Sequence, residues 1–119
     1  ESLVAATMGA FVAVYRRRPA FVVIYLRGRT NSAVARFGRV HNARTADTLR
    51  SLALDAGLCD ERLTPPIAEL AVELGDRVFQ LAYEHRLDGD PVLVAEGVAL
   101  LTAYLQRFAP GGAGPARSA

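Results

Sequence analysis

From Pro91 to Phe108 only Glu96 and Arg107 carry charge, so a helix over this stretch is apolar nearly all the way round. Such a helix must be covered on most of its surface, unlike a one-sided amphipathic helix that keeps a polar face for water. The preceding stretch makes the same demand. Between Ile67 and Leu87 one apolar face runs through Ile67, Leu70, Ala71, Leu74, Val78, Leu81 and His85. A second, roughly 120° round the wheel, runs through Ala68, Val72, Gly75, Phe79 and Tyr83. Two such helices hold more apolar surface than the core of a 119-residue domain readily absorbs. The expectation is a homodimer in which they join their counterparts in a four-helix bundle. The interface is expected at Val72, Gly75, Phe79, Tyr83, Val98, Leu101 and Leu105. Gly75 and Gly97, with Ala99 and Ala103, would allow close approach there.

The rest of the chain also reads as helix, giving an all-α domain of five helices with no sheet and no internal repeat. Val4, Met8, Phe11 and Tyr15 form a narrow apolar stripe on helix one. Arg16, Arg17 and Arg18 fall in its last turn, where cations complement the helix dipole, and Pro19 stops it and opens the next. The run Phe21 to Leu26 has strand propensity, yet no other segment offers it a partner strand. A short buried helix is expected instead, with Phe21, Ile24, Tyr25 and Gly28 on one face. Thr30, Asn31 and Ser32 supply N-cap chemistry for the third helix, over 32–56. Its inward sector is expected to hold Val34, Phe37, Gly38, His41, Thr45, Thr48, Leu49, Leu52 and Ala56, with Gly57 as C-terminal cap. Thr64 and Pro65 start helix four. The domain is expected to span residues 1–109, and "PGGAGPARSA", residues 110–119, to be a flexible tail.

Charge is unevenly spread. Residues 16–50 carry nine arginines against the single acid Asp47, whereas residues 51–100 carry ten acids against Arg62, Arg77 and Arg86. Such asymmetry suits a nucleic-acid face, or lets two parts of one fold attract each other. No apolar run approaches the roughly 20 residues of a membrane helix. The chain opens on Glu1 with no leader pattern and looks trimmed from something longer. A single Cys59 beside Asp60 and Glu61 favours neither disulfide nor thiolate and fits a reducing, cytoplasmic setting.

Catalytic patterns are missing: there is no phosphate loop, nucleophile elbow or zinc spacing, so no enzyme activity and no cofactor are expected. Glu84, His85, Asp88 and Asp90 in "EHRLDGD" are expected to cap helix ends rather than to bind metal. The unusual feature is helix three, where His41, Thr45 and Thr48 interrupt the apolar face. Buried polar groups need hydrogen-bond partners or a cavity. With Met8, Phe11, Tyr15, Tyr25 and Phe37 they would line a largely apolar pocket with a few polar anchors, the composition of a small-molecule site. The competing reading is an interaction or scaffold domain with a filled core.

The order of elements and the stretch "YRRRPAFVVIYLRGRTNSAVARFGRVHNARTADTLRSLALDAGL" resemble the C-terminal ligand-binding and dimerisation domain of tetracycline-repressor-family transcriptional regulators, from about Leu3 to Phe108. The shared features are the Tyr15-to-Pro19 step, the short helix after it, and a polar pair, His41 and Asn42, on the long helix. The resemblance implies a lipophilic effector in the pocket, a homodimer, and an N-terminal helix-turn-helix domain, absent from this chain, that reads DNA. Arg27 and Arg29 would then face that missing domain.

Overall fold

The computed structural model describes residues 2–112, which form an all-helical domain with no strand among them. Helix α1 (Leu3–Arg17) is capped by Ser2, whose hydroxyl accepts from the Ala5 amide at 3.0 Å, and ends in Arg16 and Arg17. Helix α2 is short: an α turn, Pro19–Phe21, widens into a π-helix, Val22–Leu26. Its β-branched run is thus helical, as a lone strand could not have satisfied its backbone. The wider winding shifts its phase. Val22, Tyr25 and Leu26 turn inward, and Ile24, expected inside, is 66% exposed.

Helix α3 (Ser32–Asp55) begins at Asn31, whose side chain accepts from the amides of Ala33 and Val34, and Gly57 follows its end in a left-handed conformation. Helix α4 (Pro65–Ala82) starts after Thr64 and is shorter than the periodicity up to Leu87 implies. The chain leaves it at Tyr83 because the Asp90 amide returns to the Ala82 carbonyl and closes the loop. Asp90 then caps α5 (Pro91–Leu105), which runs into a 3-10 turn, Gln106–Phe108.

Helix α3 lies along α4, and α5 packs back against α4 and α1. The α4–α5 pair is close because Gly97 has no side chain: a Cβ there would sit 2.5 Å from Val78 Cγ1. A Cβ at Gly75 would lie 3.4 Å from Leu101 Cδ1, an ordinary contact. Gly97 therefore serves packing inside one chain. The core has two parts. One is centred on the rings of Tyr15, Tyr25, Phe79 and Tyr83, the other on Ala46, Ala53, Cys59, Leu63, Ala68 and Phe108.

The second part is tied together by Arg62. Its Nε meets Asp60 Oδ1 at 2.9 Å, and its terminal nitrogens donate to the carbonyls of Ala109 and Gly112 at 2.8 and 2.6 Å. Gly112, near the start of the expected tail, is thus engaged by a guanidinium, while 113–119 lie outside the described residues. No helix among the described residues is long and apolar enough to cross a membrane.

Candidate functional site

Four helices enclose a cavity of about 140 Å³, partly open to solvent. Helix α1 supplies Leu3, Val4, Thr7, Met8, Phe11 and Tyr15; α3 supplies Asn42, Thr45, Ala46, Leu49, Arg50 and Ala53. From α4 come Ala68, Ala71, Val72, Gly75, Asp76 and Phe79, and Leu101, Leu105, Tyr25 and Leu63 complete the wall. The facing positions of α3 and α4 include Ala46, Ala53, Ala68, Ala71 and Gly75, whose small side chains leave volume between the backbones. It exceeds the roughly 10–15 Å³ that a single water needs.

One end of this space is polar and buried. Asp76, 7% exposed, forms an ion pair with Arg29 and accepts from Asn42 Nδ2 at 3.0 Å; Asn42 Nδ2 also lies 3.2 Å from Glu73 Oε2. The Arg29 guanidinium lies over the Tyr25 ring, 4.1 Å from its centroid. Gly38 makes that position possible, since a Cβ there would meet Arg29 Cζ at 2.8 Å. Arg29 Nε is buried without a hydrogen-bond partner among the described residues. Burial, reinforced by the negative charge of Asp76, pushes the Tyr25 phenol up to about 12 and raises that of Tyr15 further still, so both hydroxyls stay protonated. At the other end Arg50 Nε donates to the Leu63 carbonyl at 2.6 Å.

Met8, Phe11, Tyr15, Tyr25 and Thr45 all line the cavity. Phe37 and His41 do not. Both are exposed and stack on one another outside the bundle, centroids 5.9 Å apart and planes within 7°, and Phe37 only touches the outer edge of Tyr25. His41 borders instead a shallow depression with Arg44, Thr45, Thr48 and Leu49. The reason is the phase of α3, which buries Gly38, Asn42, Ala46 and Ala53. Of the polar pair His41 and Asn42, the asparagine points in. Asp76 was detectable too, since Val72, Asp76, Phe79 and Tyr83 share one face at helical spacing.

The residues expected to form a dimer interface are covered by their own chain. Gly75, Phe79, Tyr83 and Leu101 are buried, and Val72, Val98 and Leu105 are half-buried against the core. Exposed apolar surface lies elsewhere on the same helices, at Leu70, Leu74 and Leu81 of α4 and Leu93 and Leu100 of α5. Helical phase puts both sets on the same side of the Val78–Gly97 contact, the side away from the core.

Several of the arginines are engaged inside the fold, while Arg16, Arg17, Arg18, Arg36 and Arg44 are exposed. Arg27 Nε donates to the Tyr83 carbonyl at 2.8 Å, Arg29 pairs with Asp76, and Arg39 meets Glu69 and Glu73 at 2.8 and 3.3 Å. The basic and acidic halves thus attract each other, and Arg27 and Arg29 hold α2 to α4. In "EHRLDGD", Asp90 caps α5, Asp88 pairs with Arg86, and Glu84 lies 3.0 Å from the exposed His85. Burial, more than its acidic neighbours, raises the Cys59 thiol. Comparison with protein-family models, curated proteins and solved structures gives no match to this chain.

Proposed function

We propose that this domain is the effector-binding and dimerisation part of a transcriptional regulator of the tetracycline-repressor type, without catalytic activity of its own and working in the cytoplasm. The cavity carries this reading. It is largely apolar, lies between α1, α3, α4 and α5, and is edged by Asn42, Thr45, Tyr15 and Tyr25 as polar anchors, which is how small-molecule sites are composed. A scaffold domain with a filled core has no use for such a space.

On this reading a small, predominantly lipophilic effector enters the cavity, and α4 and α5 pair with a second copy through Leu70, Leu74, Leu81, Leu93 and Leu100. DNA contact would belong to a helix-turn-helix domain that is no part of these 119 residues. Thermal-shift screening of the chain against small lipophilic compounds tests the cavity. A ligand that binds the native state raises Tm in proportion to the logarithm of its concentration over Kd. A library that never moves Tm would overturn the reading. In light scattering, Leu74→Arg is expected to halve the mass of the wild-type dimer; a wild-type monomer would remove the dimer from the proposal.

A further inference from the structure

Among the described residues, the two charged groups on the cavity wall differ in how their charge is answered. Asp76 is neutralised by Arg29 and hydrogen-bonded by Asn42. Arg50 sends its Nε to the Leu63 carbonyl, which is neutral. No carboxylate lies within ion-pair distance of Arg50 among the described residues; nearby Asp60 engages Arg62 at 2.9 Å. The adjacent Cys59 thiol is buried and held protonated, so it brings no negative charge. Arg50 is half-buried and lines an apolar wall, and the four N–H donors on its terminal nitrogens make no hydrogen bond among the described residues; a planar anion takes two such donors at once.

We propose that the cavity selects an amphipathic carboxylate, its head on Arg50 and its apolar body running along Leu49, Ala46, Met8 and Phe11 towards the aromatic end. The proposal rests on the effector-pocket reading and specifies its ligand class. Orientation follows from charge. At the far end Arg29 is already paired with Asp76 and offers no unanswered cation, whereas the charge of Arg50 meets only a neutral carbonyl. Size follows from geometry. Asn42 and Arg50 stand eight residues apart on α3, about 12 Å along its axis at 1.5 Å per residue. A cavity of about 150 Å³ accommodates benzene in another protein, so one of about 140 Å³ with a partly open side takes an apolar body of roughly six to eight carbons.

The test titrates the whole chain with octanoate, 1-octanol and octylamine, which each have eight carbons and differ in head charge, using calorimetry on the wild type, Arg50→Gln and Arg50→Lys. Octanoate is expected to bind at least tenfold more tightly than octanol, with octylamine weakest. Arg50→Gln should bring octanoate down to the octanol level while leaving octanol unchanged, and Arg50→Lys should keep part of the preference. If octanol binds the wild type as well as octanoate, or octylamine binds best, the head-group assignment is overturned and the pocket survives. If none of the three binds, the effector-pocket reading fails as well. Should Arg50→Gln not fold, the wild-type order and Arg50→Lys decide.

Discussion

At one end of the cavity Tyr15 is 1% exposed and packed by the rings of Phe11, Phe21, Phe79 and Tyr83, the last two edge-on at 5.2 and 5.0 Å. At the other, Ala46, Ala53 and Ala68 line a wall beside Leu63 and the Arg50 side chain. Both ends are buried in one small bundle, yet one is filled by interlocking rings and the other by small residues. Rings at helical spacing fill the gap between helices and fix the angles at which they meet. Alanines let the backbones come near and then supply too little volume to close what remains. The aromatic end is expected to carry the stability of the fold, and the alanine end its capacity to bind.

The largest expected difference is between truncations at the two ends. Tyr15→Ala should cost about 3–5 kcal/mol, the range for deleting a fully buried aromatic. Leu49→Ala, at a half-buried position already facing space, should cost roughly 1–2 kcal/mol, below the range for fully buried leucines. Urea unfolding of both variants checks this, and equal losses would mean that the ends are not mechanically distinct. Asp76→Ala comes next. It removes the partner of Arg29, whose side chain is only 17% exposed, and should cost about 3 kcal/mol because the remaining cation is left uncompensated. Asp76→Ala with Arg29→Met in the same chain should recover much of that loss.

How much of this could be read without coordinates follows the same division. Met8, Phe11 and Tyr15 are bulky, regularly spaced and followed by a proline, so the α1 wall of the cavity is legible. On α3 the bulky apolar residues mislead. Phe37 and Leu52 are 57% and 53% exposed, and the buried positions of the helix are Gly38, Asn42, Ala46 and Ala53. A hydrophobicity pattern follows large side chains, whereas close helix packing selects small ones: of the expected inward sector Gly38, Thr45 and Leu49 do face inward, and Phe37, His41, Thr48, Leu52 and Ala56 are exposed. On α4 both apolar faces were visible. Which of them the chain covers itself depends on where α1 and α5 arrive, and the aromatic face with Phe79 and Tyr83 lost its expected place at an interface for that reason.

The aromatic end should also show in alkaline unfolding. The native state holds the Tyr25 proton up to about 12, whereas the unfolded chain releases it near 10. Native protein therefore binds more protons than unfolded protein in that window, and stability falls as pH rises through it. Tyr15, shifted in the same direction by burial, extends the loss upward. Below pH 10 neither contributes a slope. Tyr25→Phe should flatten the fall between pH 10 and 12 in Tm measurements, and a fall of unchanged steepness would assign it to other groups.

The smallest expected effect is the most discriminating. Ala46 is 1% exposed and lines the cavity at the middle of α3. In a core packed to normal density, Ala46→Ile would force neighbours off their rotamers and cost about 1–3 kcal/mol. Here the added carbons enter space that is already present, so the cost of crowding is offset by new apolar contact, and the net change should stay within about 1 kcal/mol. The same substitution should abolish ligand-induced thermal shifts, because it occupies the volume the ligand needs. Stability and binding are thus expected to separate at one residue: unchanged unfolding with lost binding supports a functional cavity, and a loss of several kcal/mol would show Ala46 to sit in a solid core like that around Tyr15.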